Sequence, residues 1–457
     1  MFRLWLTVAS AAMFILAWMQ SFALEPRRET GIFQIDPLTP YIHYLPDMAP
    51  RGRVLVVHGL GASKEFMRTI SAALTDGGFE AYDIDLPGHG DSPKGFSGPL
   101  AQQAIGNVLK TIGTDTIVVG HSLGSGLVVD LAADEYLPTL VLISPPPTPL
   151  AEIQAGRVLV VSPQFEVPRI KAFAPILVDI GYPRVKLWEP AWAAHSSPVF
   201  TPAHLRYIVE WLGGNGRSTR TLARLIWIIV MCVSGVALGI GLMPGQRLKA
   251  IPIPIPPELV RYVASFGLTI LLLKVIVPLS WLRLFGTDYL ISFLFLGGVL
   301  LSVQKREVPH FNALNLLKAT AAAVFVIVVL GFIVGTHVLH IALSNGRWWR
   351  FPFIAAAGLP LLWFDELTVR RIHPQWKAIA VTVVTRALLW AFLMTGVLLL
   401  NRADAFLVLI AHLIVLFWIL LWFAAGIVYR HTQDPLATAI FAAIVQGWAF
   451  AAWFVTI

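Results

Sequence analysis

A serine flanked by two glycines is the clearest candidate nucleophile in this sequence. It lies in the pentapeptide Gly120-His121-Ser122-Leu123-Gly124, after an apolar β-branched run and before a helical pattern. In a G-x-S-x-G turn between a strand and a helix, the glycines leave room for the backbone to approach a substrate, and the turn exposes the serine hydroxyl. We therefore predict that Ser122 attacks a carbonyl carbon. The alternative is a serine that only caps the following helix.

A serine nucleophile needs a base and an acid that orients the base, and the expected chain order is serine, acid, histidine. His195 follows the last predicted strand, and Glu166 follows the strand before it. A carboxylate there would hold the imidazole tautomer and stabilise the imidazolium. We predict Glu166 as the acid, with Asp179 and then Glu189 as alternatives. His204 competes with His195 as the base but lies in a helical pattern.

Strands and helices alternate around these candidates. Apolar strands are predicted at residues 53–58, 81–85, 116–120, 139–143, 157–161 and 185–188. Such alternation is typical of an α/β fold with a mostly parallel sheet and helices on both faces. Only the proline-rich residues 144–156 separate the fourth and fifth of these strands.

Three motifs make residues 52–213 resemble the α/β-hydrolase superfamily, and they occur in that family's order: His58-Gly-Leu-Gly61, Asp85-Leu-Pro-Gly-His-Gly-Asp-Ser92 and the serine pentapeptide. The resemblance implies that the backbone amides of Leu60 and Leu123 form an oxyanion hole, a role that needs only donors aimed at the developing negative charge. It implies that His58 and His89 shape loops, and it implies no cofactor or metal. Family members usually carry Asp where this chain has Glu166. Many members insert a helical cap between the two strands that residues 144–156 join here, so the resemblance implies a nearly lidless site whose acyl pocket is shaped by short loops or by a membrane surface.

The composition of the whole chain is that of a membrane protein. Of its 457 residues, 57% are hydrophobic and only 13% are charged, whereas soluble domains have about 25% charged residues. This excludes a disordered or collagen-like chain, and an ordinary cytosolic enzyme as a description of the whole molecule. We attribute the net charge of +8 to membrane topology rather than to nucleic-acid binding. The single cysteine, Cys232, forms no internal disulfide.

The hydrophobic excess divides the chain into three predicted regions. Residues 1–24 are a signal anchor or a cleaved signal peptide, residues 25–215 are the α/β-hydrolase domain, and residues 216–457 are an all-α membrane domain. We predict eight C-terminal transmembrane helices, with seven as the alternative, because the apolar runs cover residues 221–243, 258–279, 284–303, 315–341, 349–367, 378–400, 404–429 and 436–456.

Lys and Arg are distributed unevenly between the loops that join these runs. One set of alternate loops contains Arg247, Lys249, Lys305, Arg306, Arg370, Arg371, Lys377 and Arg430, and the other contains Arg283, Arg347, Arg350 and Arg402. The richer side is expected to be cytoplasmic. This places the hydrolase domain on the extracytoplasmic side.

Ionisable residues inside the apolar runs are candidates for function, since inserting each one costs about 2.5–3.5 kcal/mol. They are Lys274, His337, His340, Asp365, Glu366, Arg386 and His412. We interpret the two basic residues and the first two histidines as structural, bonding between helices.

The remaining acidic pair and histidine lie in a segment that resembles the CAAX-prenyl-protease-like, or abortive-infection, membrane family over about residues 315–457. The resemblance implies a second site at Glu366, Arg370 and His412. However, Ala442 and Gln446 stand where that family has His and Asn. We therefore interpret this domain as a degenerate relative or a coincidence.

Together these features predict a membrane-anchored serine hydrolase that cleaves ester or amide bonds of lipid or acylated substrates. Its predicted partners are the lipid bilayer and an acyl-ester substrate, without nucleic acid, and its protein partners are undetermined. The alternative is a transporter or scaffold in which the hydrolase fold is a binding module. No inverted repeat typical of transporters is evident in the sequence.

Overall fold

A computed structural model of the protein describes residues 1–149, 153–181, 183–216, 220–245, 255–275, 282–305, 309–335, 337–372, 375–400 and 406–457. The chain forms two compact units. The first, here the sheet unit, comprises Ser10–Gly235, Gly331–Asn345 and Val455–Ile457. The second, here the helical unit, comprises Met1–Ala9, Val236–Leu330 and Gly346–Phe454.

An eight-stranded sheet forms the centre of the sheet unit. Its strands are β1 (Arg27–Phe33), β2 (Thr39–Leu45), β3 (Arg53–Val57), β4 (Glu80–Ile84), β5 (Ile117–His121), β6 (Leu137–Ile143), β7 (Ala155–Val161) and β8 (Val185–Trp188). They are arranged in the order β1-β2-β4-β3-β5-β6-β7-β8. Strands β3 to β8 pair in parallel, whereas β2 pairs antiparallel with both β1 and β4. The six predicted strands are confirmed as β3 to β8, and β1 and β2 are additional.

Helices cover both faces of this sheet, as predicted. Those of the sheet unit are α2 (Arg68–Asp76), α3 (Gly98–Ile112), α4 (Leu123–Asp134), α5 (Pro168–Gly181) and α6 (Pro202–Trp211), and α1 (Phe2–Ala23) precedes the sheet. Strand β3 shows how the two faces separate. Leu55 and Val57 pack with residues of α3, α4 and α5, while Val54 and Val56 pack with residues of α2 and α6. Apolar residues on both faces are typical of strands buried in a parallel sheet.

Between β6 and β7, the described residues 144–149 and 153–154 contain neither helix nor strand. The described part of this connection therefore contributes no helical lid, which agrees with the expectation of a nearly lidless site.

Eight long helices follow the sheet in the described part of the chain. They are α7 (Arg220–Leu242), α8 (Ile255–Val275), α9 (Thr287–Lys305), α10 (Ala313–Leu330), α11 (Arg347–Val369), α12 (Gln375–Leu400), α13 (Phe406–Thr432) and α14 (Pro435–Trp453). Among the described residues, eight helices are long and apolar enough to cross a membrane: α1 and seven of these, without α8. Helix α8 carries three charged residues, Glu258, Arg261 and Lys274.

Small residues allow close packing between helices of the helical unit. A Cβ atom added to Gly447 of α14 would lie 2.7 Å from the Cβ of Ala355 in α11. In a bilayer, no hydrophobic driving force brings helices together, because lipid tails are as apolar as the helix surfaces. Helices therefore associate through close packing, which small residues at the contact allow. Gln446, also in α14, accepts a hydrogen bond of 3.0 Å from the indole of Trp418 in α13.

Two of the predicted spans are too long. The span predicted at 315–341 corresponds to the candidate span Ala313–Gly335, which is α10 followed by the π-helical turn Gly331–Gly335, and residues 337–341 lie beyond it. The span 436–456 ends at Trp453, after which Thr456 donates its amide to Gly88 O (3.0 Å) and accepts from Phe96 N (2.8 Å). Both segments belong to the sheet unit, because their polar groups find partners there that lipid would not provide.

Sidedness was predicted partly from Arg247, Lys249, Arg306 and Arg402, which lie outside the described residues. The extracytoplasmic location of the hydrolase domain therefore stays a prediction.

Candidate active site

Ser122 lies on a sharp turn between β5 and α4. Its backbone has φ 50° and ψ −118°, a left-handed conformation that is strained for a residue with a side chain. The flanking positions must be glycine because a side chain there would clash with neighbouring backbone atoms. A Cβ atom at Gly120 would lie 2.7 Å from Ser125 N, and one at Gly124 would lie 2.5 Å from Val57 O. The turn thus has the backbone geometry of a nucleophile elbow.

Glu166 and His195 are bonded to each other, as the sequence predicted. The imidazole Nδ1 lies 2.8 Å from Oε1 of Glu166 and 3.0 Å from Oε2. Glu166 follows β7 and His195 follows β8, so parallel pairing of these strands brings their loops together. An isolated parallel bridge between Phe165 and Ala194 continues that pairing up to the two side chains.

The surroundings of Glu166 favour its ionised form. Its side chain is fully buried, and burial alone would raise its pKa. Interactions with His195, the nearby Ser144 hydroxyl and the amide of Val167 outweigh burial and hold the pKa of Glu166 below its usual range. An ionised carboxylate accepts a hydrogen bond from Nδ1–H, which leaves Nε2 of His195 free to accept a proton.

The loop that carries His195 is held beside the serine turn. Ser144 donates its hydroxyl to the carbonyl of His195 (2.9 Å), and the imidazole Nε2 of His121 lies 3.4 Å from the same oxygen. Ser122 N in turn bonds to Ile143 O (2.8 Å), one residue before Ser144. Within the described residues, the Ser122 hydroxyl makes no direct hydrogen bond to the imidazole. Such bonds often tighten only when substrate binds.

Leu60 and Leu123 adjoin the serine on two sides. Leu123 is the first residue of α4, so its amide lies at the positive end of the helix. Leu60 follows Gly59, where an added Cβ atom would lie 3.0 Å from the Cβ of Ser122. The backbone amides predicted for the oxyanion hole therefore belong to segments that meet at the nucleophile.

His58 supports the loop that carries Leu60. Its Nδ1 donates to Gly59 O (2.8 Å), and its Nε2 accepts from Leu86 N (3.1 Å). Burial lowers the pKa of His58 despite the nearby Asp85, so the ring is neutral and shapes the loop. Burial likewise lowers the pKa of His121 to about 3, with His195 contributing in the same direction.

A buried ion cluster continues this loop. The Lys64 ammonium lies 2.6 Å from Asp85, 2.7 Å from Asp91 and 3.0 Å from Glu65. These carboxylates raise the pKa of Lys64 although burial opposes the charge. In the described part of the chain, one group has the residue types and spacing of a metal site, namely Glu65, Asp91 and His340. Because the ammonium already contacts both carboxylates, this group lacks the negative charge that would favour a divalent ion.

The alternative acids and the alternative base lie elsewhere. Asp179 is exposed on α5, and Glu189 forms an ion pair with Lys171. His204 lies in α6, as predicted, with its ring 5.7 Å from that of Trp188. His89 lies in the turn after β4 with its Nδ1 2.9 Å from Pro87 O.

The structural interpretation of His337 and His340 holds in part, because His337 bonds to Ser21 of the candidate span α1, whereas His340 bonds to a residue outside the candidate spans. His337 Nδ1 lies 3.3 Å from Glu25, and its Nε2 lies 3.1 Å from Ser21 Oγ. His340 bonds through its amide to Ser63 Oγ (3.1 Å). Both histidines belong to the sheet unit, where carboxylates and hydroxyls satisfy their nitrogens.

The proposed second site is only partly described. Glu366 is held by Arg370 through two bonds, of 2.7 and 3.2 Å. Its neighbour Asp365 pairs with Arg386 and accepts from the hydroxyl of Tyr262. The side chain of His412 lies outside the described residues. Ion pairing of both acids fits a structural role.

Several solved structures are similar to part of this chain. Among solved structures, the chain is similar to a monoacylglycerol lipase of Paleococcus ferrophilus (19% identity, TM-score 0.34, covering 40% of this chain and 98% of that one). It is also similar to the carboxylesterase CesB of Bacillus subtilis (18%, 0.35, 45% and 97%) and to a membrane phospholipase A described as a bacterial virulence factor (15%, 0.37, 46% and 93%). A search of curated proteins finds no match.

The family comparison covers more of the chain. The model of the alpha/beta hydrolase family matches residues 54–292, a range that begins in β3 and contains the serine turn, the Glu166–His195 pair and α6. This match extends over more than half of the sequence. The chain therefore belongs to the alpha/beta hydrolase family.

Proposed function

We propose that the protein is a serine hydrolase that cleaves ester bonds, or amide bonds, of lipid or acylated substrates at a membrane. The observation that supports this most directly is the buried Glu166–His195 pair beside a serine in the strained elbow conformation. A helix-capping serine would need no such neighbours. Ser122 makes no side-chain cap hydrogen bond to α4, which also weighs against the capping alternative.

The proposed mechanism follows from the hydrogen bond between Glu166 and Nδ1 of His195, which leaves Nε2 as the base. Nε2 of His195 takes the proton of the Ser122 hydroxyl as its oxygen attacks the acyl carbon. The carbonyl electrons move to oxygen, and the amides of Leu60 and Leu123 donate to the oxyanion. Glu166 stabilises the imidazolium. The imidazolium then gives its proton to the leaving alcohol or amine, and an acyl-enzyme remains. Water activated by the same imidazole releases the acid and restores the serine.

Exposed aromatic side chains beside the acid and the base support an apolar acyl substrate. Phe165 is 56% exposed and Trp192 is 85% exposed, and their ring centroids are 5.9 Å apart. Backbone bonds fix both loops, since Phe165 N donates to Ala193 O (2.8 Å) and Trp192 N donates to the side-chain carbonyl of Gln164 (2.8 Å). Two large apolar rings held at the surface offer area to an acyl chain or to lipid.

Membrane attachment is proposed from the helices. Eight described helices have spanning length and hydropathy, and α1 would serve as the N-terminal anchor if it is retained. The helical unit would hold the enzyme at its lipid substrate, with the hydrolase domain on the extracytoplasmic side. Because Glu366 is engaged by Arg370, we propose that the acidic pair stabilises helix packing and that hydrolysis does not depend on it.

Labelling with a fluorophosphonate probe tests the nucleophile. The full chain in detergent is expected to be labelled at Ser122, and Ser122→Ala and His195→Ala should abolish labelling, whereas Ser196→Ala, a matched serine one residue from the base, should retain it. Glu366→Gln should hydrolyse acyl esters like the unmodified chain. Labelling that survives Ser122→Ala would leave the scaffold or transporter alternative as the better explanation.

Substrate class is tested with a series of acyl esters from acetate to palmitate. Trp192→Ser should lower kcat/KM for long acyl chains by about tenfold, equivalent to losing about 1.4 kcal/mol of apolar contact, and should leave acetate esters unchanged. Met48→Ser, which also removes an exposed apolar side chain (82% exposed), is the control. An equal loss for all chain lengths would contradict an acyl-binding role of the aromatic pair.

A further inference from the structure

A pocket in the sheet unit is built from residues that the proposed catalysis does not use. It is lined by Glu25, Arg68, Thr69, Ala72, Arg224, Leu225, Ile228 and His337. It encloses about 300 Å³ of empty space including its opening, of which an inner volume of about 20 Å³ admits a water-sized group. An occupant would therefore insert one atom or small group and keep its larger part at the mouth.

Two buried arginines present unpartnered donors at this pocket. Arg68 and Arg224 are 5% and 6% exposed. Nε of Arg68 and Nη1 of Arg224 have no hydrogen-bond partner. Buried N–H groups are almost always bonded, because an unmatched one has lost its hydrogen bonds to water without replacing them. An oxygen anion between the two guanidinium groups would satisfy both donors.

The other donors of these arginines hold them in place. Arg68 Nη2 binds Glu25 (2.5 Å). Nε of Arg224 donates to Leu24 O (2.9 Å), and its Nη2 binds Asp76. The two side chains are therefore fixed before any ligand binds, which lowers the entropic cost of recognition.

Arginines are grouped around the pocket. Arg28 and Arg68 both pair with Glu25, and Arg220 and Arg224 both pair with Asp76. Arginine binds phosphate oxygens well because its planar donors match their geometry.

Position along the chain indicates the kind of anion. Glu25 comes two residues after the end of α1, and Arg224 is in the second turn of α7. Both helices are candidate membrane spans. Ends of spans lie at the level of lipid headgroups, where basic residues bind phosphate. Leu225 and Ile228 add apolar surface on the same helix. We propose that the pocket binds a phosphate group, supplied by a lipid headgroup at the membrane surface, with one oxygen between Arg68 and Arg224.

The phosphate site is tested by ligand binding to the full chain carrying Ser122→Ala. This variant leaves the lipid intact, so the result does not depend on catalysis. The probes are dihexanoyl phosphatidic acid, dihexanoyl glycerol with the same acyl chains and no phosphate, and inorganic phosphate, each titrated in neutral detergent. We expect saturable binding of the phosphatidic acid and at least tenfold weaker binding in Arg68→Gln and Arg224→Gln. Arg206→Gln, at an exposed arginine paired with Glu210 (2.8 Å), should bind normally.

Arg224→Lys keeps the charge near Asp76 and provides a folded comparison if Arg224→Gln unfolds. It should bind the phosphatidic acid less tightly than the parent chain, since an ammonium lacks the planar donor pair. Tighter binding of the lipid than of inorganic phosphate would identify a headgroup as the source, and equal binding would support a phosphate site supplied from solution. Equal binding of dihexanoyl glycerol and phosphatidic acid, or normal binding by Arg68→Gln and Arg224→Lys, would overturn the proposal.

Discussion

Replacing the carboxylate of Glu166 by an amide isolates the contribution of its charge. Glu166→Gln keeps the size of a side chain that is fully buried and lies 2.8 Å from His195 Nδ1. At that separation and an effective dielectric constant of about 20, the attraction between the carboxylate and an imidazolium is about 6 kcal/mol. The partial exposure of His195 reduces this value, so we take about 4–5.5 kcal/mol. Since about 1.36 kcal/mol corresponds to a tenfold change in rate, kcat/KM should fall by about 10³–10⁴.

The assay is hydrolysis of a short p-nitrophenyl ester by the full chain, with the rate of fluorophosphonate labelling as a second readout. Glu189→Gln is the matched control, because Glu189 is an exposed acid in the next loop and pairs with Lys171. It should change kcat/KM by less than twofold. Asp179→Asn tests the other acid and should also be nearly silent. A loss below tenfold in Glu166→Gln, or a larger loss in Asp179→Asn, would refute the assignment of the acid.

Three further predictions concern stability and use thermal unfolding of the full chain. Gly124→Ala places a methyl group 2.5 Å from a backbone oxygen of β3. It should lower the free energy of unfolding by about 1–3 kcal/mol and lower activity. The control is Gly98→Ala, where an added Cβ atom has nothing within 4 Å, and it should change the free energy of unfolding by less than about 0.5 kcal/mol. Burial raises the pKa of Asp83 well above its usual value, so the stabilising contribution of its carboxyl group is present below about pH 4 and is lost as pH rises. Asp83→Asn should therefore raise Tm at pH 8 and change it little at pH 4. An unchanged Tm at pH 8 would contradict this. Thr456→Pro removes the amide that binds Gly88 O and should cost about 1–3 kcal/mol, with Thr456→Ser as the control.

The central part of the fold could be predicted because its signals are local. Each parallel strand is a short apolar β-branched run, and strand β5 ends directly at the serine pentapeptide. The strands also identify the acid and the base, since the loops after β7 and β8 each contain one suitable side chain. Predicting the contact between Glu166 and His195 required only that these two strands be neighbours in a parallel sheet.

Strand β1 could not be predicted in this way. Strand β1 reads Arg-Arg-Glu-Thr-Gly-Ile-Phe and is mostly exposed, so it lacks the apolar pattern of a buried strand. Its pairing with β2 is antiparallel and lies at the edge of the sheet. Edge strands are often polar because one of their sides is not packed. The sequence signal on which the other strands were predicted is therefore absent here for a physical reason.

Hydropathy was also a poor guide at the ends of two apolar runs. The segment that contains His337 and His340 is apolar enough to extend a membrane span, yet its histidines contact Glu25 and Ser63 of the sheet unit. Hydropathy adds contributions residue by residue and contains no information about distant partners. A histidine with a carboxylate partner is stabilised by that contact wherever the two lie in the chain.

The serine turn shows why a local motif can specify a strained conformation. Holding a residue with a side chain at the φ of Ser122 costs about 1–3 kcal/mol. Ser122 N donates to Ile143 O (2.8 Å), and the single hydroxyl proton of Ser125 is shared between Gly120 O (2.7 Å) and Ile143 O (3.0 Å). At about 0.5–1.5 kcal/mol for each donor, these bonds offset the strain. Both donors lie inside residues 120–125, and the carbonyl of Ile143 in β6 completes the turn. The position of the base relative to the serine instead depends on Ser144, which belongs to the neighbouring strand end, and a change at that serine should alter catalysis while leaving the turn intact.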